Sequence, residues 1–333
     1  MPASDLSTPR SDARPANIGF LLIPGFALLP YACAVEPLRA ANILSGRTLY
    51  AWQHFAPDGQ VVAASNGVVI AADPLPGTTT PDLDTLFVCA GGNPAAFRDA
   101  ATFARLRRLA RQGVPLGGIS GGAYILARAG LLQGRRFTLH WEHAVAFAEE
   151  FPTLDLRRSL FEIDRDRLTC SGGTAALDMM HALIARAHGP AVAAAVSDWF
   201  LQTEIRAGTA PQRLSLRDRL GVQSGPLLRA LAAMEAHLEQ AQSRSELARE
   251  AGVTPRQLER LFRRELGRTP GAHYLLLRLE RARQLARQTG LPLAEIATAC
   301  GFASLSHFSR SYRARFGTPP AAERLSRQNQ SAH

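Results

Sequence analysis

The sequence predicts an α/β domain with a flavodoxin-like, mainly parallel sheet, followed by an all-α domain with two helix-turn-helix units. Two observations support this prediction. Apolar runs of strand length alternate with helical patterns over residues 17–206, an order typical of a parallel sheet covered by helices. Near the end of the chain, residues 246–270 and 292–320 repeat one frame, in which a short helix, a glycine turn and a second helix follow each other.

The elements of the first domain follow in order. A buried strand at residues 17–23 precedes a helix at 30–44, and a meander follows with turns at Asp58-Gly59 and Asn66-Gly67. We then expect a strand at 85–89, a helix at 94–112, a strand at 115–119, a helix at 123–129, a short strand at 136–141 with a helix after it, a hairpin at 160–170 and a helix ending at His188.

These patterns divide the chain into five parts. We expect a disordered tail at residues 1–16, a ligand-sensing domain at 17–206, a linker at 207–225, a DNA-binding domain at 226–325 and a second tail at 326–333. The polar, mixed-charge first residues resemble neither a signal peptide nor a membrane span, and no other apolar run reaches membrane length. We therefore expect a cytoplasmic protein without a membrane partner.

The net charge of +10 is unevenly distributed. Residues 221–333 contain 17 arginines and 9 acidic residues, whereas residues 1–220 contain 21 and 19, and the chain has no lysine. This basic final third predicts a polyanionic partner; a solvated arginine-rich surface is the alternative, and the repeated units favour double-stranded DNA. The four cysteines have no metal-ligand spacing, so we expect free thiols, no metal and no cofactor.

The second helix of each repeat supplies the candidate DNA contacts. They are Thr254, Arg256, Gln257 and Arg260 in the first unit, and Ser304, Ser306, His307, Arg310 and Arg313 in the second. Arginine and glutamine can pair with guanine and adenine edges in the major groove. Arg263, Arg264, Arg313 and Arg315 lie further along the helices and suit phosphates. For Arg260 and Arg310, a role in holding phosphate or joining the units is equally compatible with the sequence.

The chain resembles known families in both halves. Residues 226–320 resemble the DNA-binding domain of AraC/XylS regulators, through Ala297, Gly301, Phe302, His307, Phe308, Arg310, Phe316, Gly317 and Pro320. Residues 17–200 resemble the class I glutamine amidotransferase-like, PfpI-type domain, and the whole chain resembles the GlxA- and ArgR-like regulators. The matching segments are residues 36–42, 64–67, 121–132, 139–143 and 170–180.

This resemblance implies a bacterial, ligand-responsive transcription regulator that joins the nucleoid when it binds DNA. It implies an activator, although the residues themselves leave activation and repression both open. It also implies a homodimer formed through the first domain, and an effector that is arginine or a methylated amine such as carnitine, betaine or dimethylglycine. A protein that binds DNA without a ligand, and whose first domain only dimerises, is a further alternative.

Ser120 lies in the Gly118–Gly122 stretch between a strand and a helix, the context of a nucleophile elbow. A hydrolase that uses Ser120 with His140 or His143 and a nearby glutamate is therefore one interpretation. The enzymatic relatives carry cysteine at this elbow, often followed by histidine, whereas here Gly121 follows a serine. This departure favours a binding site without enzymatic activity.

The same elbow predicts where the ligand binds, because parallel strands end together at one edge of the sheet. We expect Ser120, Asn93 and His140 to meet there, with backbone amides from the paired glycines. Trp141, with Trp52, Tyr31 or Phe26, would form an aromatic wall for a cationic or zwitterionic amine. Glu36 or Glu142 would supply the counter-charge. Each of these side chains, taken alone, is equally compatible with a structural role.

Overall fold

The computed structural model describes residues 14–76 and 82–323. The chain forms two compact units, Met1–Gln212 and Arg213–His333. The division falls inside the segment 207–225 that the sequence predicts as a linker. Of the two predicted tails only residues 14–16 lie within the described ranges, and there Arg14 Nη1 donates to Asp84 Oδ2 at 2.9 Å.

One eight-stranded sheet forms the centre of the first unit, with the strand order β3-β4-β2-β1-β5-β6-β8-β7. The strands are β1 (Ala16–Leu22), β2 (Tyr50–Ala56), β3 (Gln60–Ala63), β4 (Val69–Pro74), β5 (Thr85–Ala90), β6 (Leu116–Ser120), β7 (Phe161–Asp164) and β8 (Arg167–Cys170). Only the hairpins β3–β4 and β7–β8 pair antiparallel. The predicted flavodoxin-like, mainly parallel sheet is confirmed.

Helices cover both faces of this sheet. They are α1 (Leu28–Ser45), α2 (Ala100–Arg111), α3 (Gly122–Arg128), α4 (Ala144–Glu150), α5 (Ala175–His188) and α6 (Pro190–Trp199). Phe20 lies in the core beneath α1 and α5, and its neighbour Leu21 lies in the core beneath α2 and α3. The apolar run in β1 thus reflects burial on both faces.

Two elements differ from the sequence prediction. Asp99 accepts hydrogen bonds from the amides of Ala101 and Thr102, so α2 begins after it, and only a 3₁₀ turn forms at Pro94–Ala96. Residues 136–141 are not a strand, because the Thr138 amide donates to the Thr169 side chain at 2.9 Å instead of to a neighbouring carbonyl. A 3₁₀ turn follows at Trp141–His143.

The described part of the second unit is helical. Its helices are α7 (Leu216–Leu220), α8 (Gly225–Ala236), α9 (Arg244–Ala251), α10 (Pro255–Leu266), α11 (Pro270–Gln288), α12 (Leu293–Ala299) and α13 (Leu305–Phe316). Part of the predicted linker is therefore helical, and Leu216 and Leu220 pack on the core that contains Leu227. Across residues 14–76 and 82–323, no helix is long and apolar enough to cross a membrane.

Candidate functional site

Ser120 ends β6 in a strained conformation, with φ of 58° and an exposed fraction of 6%. A non-glycine residue with positive φ costs on the order of 1–3 kcal/mol and persists only where its surroundings impose it. The surroundings here are tight: a Cβ at Gly122 would lie 1.9 Å from the Val88 carbonyl oxygen. The Gly121 amide donates to the Ala90 carbonyl at 3.0 Å. This geometry is that of the predicted elbow.

Two loops contact Ser120 directly. The first, which we call the glycine loop, comprises residues 171–174; Gly172 has φ of 91°, and a Cβ there would lie 2.8 Å from the Ser120 Cβ. The second, which we call the histidine loop, comprises residues 139–143, and its His140 amide donates to the Ser120 carbonyl at 3.3 Å. Ser120 is therefore enclosed by the glycine loop on one side and by the histidine loop on the other.

The histidine loop carries the more exposed polar groups of this site. The side chains of His140 and Glu142 are 30% and 55% exposed, and Trp141 is 41% exposed. Burial lowers the pKa of His140, and the opposing effect of Glu142 is smaller. The ring is therefore neutral at pH 7. Its Nδ1 accepts from the Glu142 amide at 3.4 Å, which leaves the proton on Nε2.

Other predicted ligand residues are engaged elsewhere. Glu36 forms an ion pair with Arg39 at 2.6 Å, three residues further along α1. Phe26 and Tyr31 are buried and pack edge-on against each other, and Tyr31 hydrogen-bonds to His54 at 2.7 Å. The ring nearest to Trp141 is that of His140, at 5.4 Å. Phe26 and Tyr31 are thus packed in the core of the first unit, and the aromatic wall of Trp141 with Trp52, Tyr31 or Phe26 remains a prediction.

Asn93 follows the paired glycines of β5 and precedes the 3₁₀ turn, where its carbonyl accepts from the Ala96 amide at 2.9 Å. It is half-buried, and Gly92 beside it has φ of 56°. No group of three or more metal-binding side chains occurs within residues 14–76 and 82–323.

Cys170 is a buried group at the elbow that the sequence analysis did not single out. Burial raises the pKa of its thiol to about 12, although backbone hydrogen bonds from Gly172 and Ser120 act in the opposite direction. The thiol is therefore not a nucleophile at neutral pH. Its position at the end of a strand, just before paired glycines, is the signal that could have identified it.

The first helix-turn-helix unit consists of α9 and α10, joined through Gly252 with φ of 69°. Thr254 caps α10, and the Gln257 side-chain oxygen accepts from the Thr254 amide at 2.8 Å and from its hydroxyl at 3.0 Å. This capping box occupies the acceptor of Gln257 and leaves only its NH₂ group for DNA. In this conformation Gln257 therefore offers DNA only its donor group, and its paired contact with adenine remains a prediction.

The arginines of α10 fall into two groups. Arg256 and Arg260 are exposed, and neither forms an ion pair in the described part of the chain. Arg263 pairs with Glu259 at 3.0 Å, and Arg264 pairs with Glu265 at 2.6 Å.

The second unit consists of α12 and α13, joined through Gly301 with φ of 72°. Ser304 caps α13 by accepting from the His307 amide at 3.3 Å. Arg278 of α11 donates to the carbonyls of Cys300 and Gly301 and lies 4.3 Å from the centre of the Phe302 ring. These contacts of Arg278 fix the backbone of the turn between α12 and α13.

The outward face of α13 carries the predicted contacts. Ser304, Ser306, His307, Arg310 and Arg313 are all exposed. Phe308 and Tyr312 are buried on the opposite face. The helix contains no acidic residue, whereas α10 contains Glu259 and Glu265.

Comparisons with known proteins cover both units. The DJ-1/PfpI family matches residues 16–186, and a helix-turn-helix domain family matches residues 247–326. The chain is 46% identical to the HTH-type transcriptional regulator GlxA of Rhizobium meliloti (strain 1021), with 94% of this chain and 97% of that protein covered. It is 48% identical to the HTH-type transcriptional regulator CdhR of Pseudomonas aeruginosa (strain PAO1), covering 92% and 90%.

A solved structure also resembles part of this chain. The crystal structure of an AraC family transcriptional regulator from Pseudomonas putida is 27% identical, with a TM-score of 0.51. It covers 56% of this chain and 100% of that chain.

Proposed function

This chain belongs to the family of regulators that join a DJ-1/PfpI domain to an AraC-type helix-turn-helix domain, and we propose that it is a sequence-specific DNA-binding transcription regulator. One observation carries the proposal. Two helices, α10 and α13, each follow a short helix and a glycine turn, and each exposes arginine on its outer face. Such helices can enter the major groove of double-stranded DNA.

Selection of duplexes from a random pool tests this proposal. The wild-type protein should enrich two segments about one helical turn apart, since two units on one chain read the same face of the duplex. Arg256→Ala should relax the preference at one base position by roughly 1–3 kcal/mol. Arg313→Ala should weaken binding to all DNA sequences alike. It should also reduce, by about 1, the slope of the logarithm of the affinity against the logarithm of the salt concentration. Enrichment of no sequence would refute specific binding, and an unchanged preference in Arg256→Ala would refute the placement of α10.

We also propose that the effector is a small nitrogenous metabolite, cationic or zwitterionic, that binds over Ser120. The exposed indole of Trp141 and the carboxylate of Glu142 support a positively charged group on the histidine loop. Neutral His140, with its proton on Nε2, can donate to a carboxylate of the same ligand. Asn93 is a proposed contact on the other side of the elbow, and Glu36 is a weaker candidate because Arg39 already neutralises it.

A matched pair of compounds tests the charge requirement. Glycine betaine and 3,3-dimethylbutanoate have the same shape, but only betaine carries a positive charge. A compound at ~100 times its dissociation constant stabilises the protein by roughly 2.7 kcal/mol, which thermal unfolding detects. If betaine is not the effector, arginine, carnitine and dimethylglycine extend the screen. Trp141→Leu should weaken the binding of the active compound by about 2 kcal/mol, and Trp141→Phe should weaken that binding less. Tight binding of 3,3-dimethylbutanoate, or of a sugar or nucleotide alone, would refute the proposal.

The elbow geometry also favours a second candidate, a serine-dependent amidase or hydrolase, because positive φ at Ser120 presents its hydroxyl as a nucleophile elbow does. One substitution separates the two. If the elbow is only a binding site, Ser120→Ala weakens the binding of the effector and causes no loss of turnover. Cleavage of an amide or ester substrate at an enzyme-like rate by wild-type protein, lost in Ser120→Ala, would establish the hydrolase instead.

The homodimer formed through the first unit belongs to the same proposal. Sedimentation velocity of the full chain at micromolar concentration should give the mass of a dimer. A monomer that nevertheless binds both halves of its operator would refute this part.

A further inference from the structure

The last residues of the first unit, 201–212, form a segment that we call the exit segment. It follows α6 and leads directly into Arg213, where the second unit begins. Leu201 opens the segment with φ of 54° and an exposed fraction of 85%. The segment has no helix or strand, yet it is held to the first unit at three places.

The first attachment reaches the glycine loop. Arg206 donates to the buried carboxylate of Asp178 through its amide at 3.0 Å and its guanidinium at 2.5 Å, and to the Thr174 hydroxyl at 2.8 Å. Gln202 donates to the same carboxylate at 2.8 Å. Thr174 is the last residue of the glycine loop, whose Gly172 lies against Ser120.

The second attachment is a relay of backbone contacts. The Gly208 carbonyl accepts from the Leu160 amide at 2.7 Å, and the Leu160 carbonyl accepts from the Ser171 amide at 2.8 Å. Ser171 is the first residue of the glycine loop. A Cβ at Gly208 would lie 2.8 Å from the Phe161 carbonyl oxygen, so no larger residue fits without displacing the segment.

The third attachment reaches the histidine loop. The Gln212 amide group donates to the Thr138 hydroxyl at 2.9 Å, the Leu139 carbonyl at 3.1 Å and the Ser159 carbonyl at 2.8 Å. Leu139 immediately precedes His140. In the part of the chain that the structure describes, the buried Gln212 Oε1 and Ser159 Oγ atoms lack hydrogen-bond partners. Buried polar groups without partners are costly, which lowers the net stabilisation that this attachment provides.

We propose that the exit segment transmits occupancy of the elbow site to the DNA-binding unit. This inference rests on the proposed function, because it takes the elbow as the effector site. An effector over Ser120 must contact or displace the glycine loop or the histidine loop, since both touch that residue. Displacement of either loop changes the contacts of Arg206, Gly208 or Gln212, and the exit segment is the covalent link to Arg213. The energetic coupling is reciprocal, so DNA binding alters the elbow in turn.

The link inside the first unit can be tested without an effector, by amide hydrogen exchange on the full chain. Gly172→Ala pushes the glycine loop off Ser120 and should accelerate exchange in residues 202–212, with α2 unchanged. Gln212→Ala should accelerate exchange in the exit segment and the histidine loop by at least about fivefold, because the loss of even one ordinary hydrogen bond has that effect. Asn42→Ala is the matched control: the Asn42 side-chain amide also forms three hydrogen bonds, all of them to the backbone of Leu49 and Tyr50, away from the exit segment.

The consequence for DNA is measured with the duplex that the wild-type protein selects from a random pool. Gln212→Ala and Gly208→Ala should change its dissociation constant in the same direction and by about fivefold or more, whereas Asn42→Ala should leave it unchanged. Equal affinity in all four proteins, or an equal shift in the Asn42 control, would overturn the inference. So would normal exchange of the exit segment in Gly172→Ala. If the wild-type protein selects no duplex, the proposed function fails, and the exchange data still decide whether the elbow and the exit segment are connected.

Discussion

Gly301 is the residue on which the orientation of α13 most clearly depends. It has φ of 72°, and a Cβ there would lie 2.5 Å from the Glu239 carbonyl oxygen and 2.9 Å from that of Leu238. Gly301→Ala therefore carries two separate costs. The left-handed conformation costs an alanine roughly 1–2 kcal/mol, and the contact with two backbone oxygens, which cannot rotate away, adds about 1–3 kcal/mol.

Gly317→Ala isolates the first of these costs. Gly317 follows α13 with φ of 75°, and nothing lies within 4 Å of its added Cβ. It should thus lose only the conformational term, roughly 1–2 kcal/mol, whereas Gly301→Ala should lose about 2–5 kcal/mol in total. The difference between the two variants is the steric term alone.

The assay must report on the second unit. All three tryptophans lie in the first unit, so tryptophan fluorescence does not follow the second. Amide hydrogen exchange of α12 and α13 in the full chain gives the local opening free energy, with α5 as an internal reference. DNA affinity should fall in the same order, because α13 no longer keeps its angle to α12. Equal destabilisation by the two substitutions would refute the steric reasoning.

Two further predictions concern Glu323, which follows α13, and Gln257 in α10. Burial alone would raise the pKa of Glu323, but hydrogen bonds from Arg287 and Arg283 outweigh it and hold the pKa below its ordinary 4.5. The ionised Glu323 carboxylate therefore stabilises the fold fully above pH 4.5, and this contribution is lost as the pH falls through its lowered pKa. In that acidic range, amide exchange near α13 should accelerate relative to exchange in α8. Glu323→Gln should remove this pH dependence. Gln257→Glu keeps the acceptor that caps α10 and removes the donor, so α10 should stay as protected as in the wild type while the selected bases change; unchanged bases would exclude Gln257 from the DNA interface.

The strands were predictable because burial on both faces leaves a continuous apolar run in the sequence. Ser120 was predictable as an elbow because small neighbours surround it between a strand and a helix. The short strand at 136–141 was wrongly predicted. Its apolar residues pack beside the sheet, and the Thr138 amide donates to the Thr169 side chain instead of to the backbone of a neighbouring strand. Polar contacts between distant segments leave no periodic signal.

The exit segment illustrates that limit. Residues 207–212 lack an apolar pattern, which predicts a linker. Their order comes from the Gln212 amide, which reaches carbonyls 53 and 73 residues earlier in the chain. The hydrogen bond between the Tyr31 hydroxyl and His54, 23 residues apart in the chain, likewise leaves no signal in the sequence.

The two helix-turn-helix units share a frame but differ in electrostatics, and this difference leads to a final prediction. In α10 the carboxylate of Glu259 pairs with Arg244 and Arg263, both at 3.0 Å, whereas α13 has no acidic residue to neutralise its arginines. Glu259→Gln should therefore release arginines toward phosphate and steepen the salt dependence of DNA binding by about 0.9 for each new phosphate contact. Glu295→Gln removes the same charge from α12, where within the described chain it forms no ion pair, and should strengthen binding only slightly. Equal salt slopes for the two variants would show that the Glu259 pairs do not restrain Arg244 and Arg263.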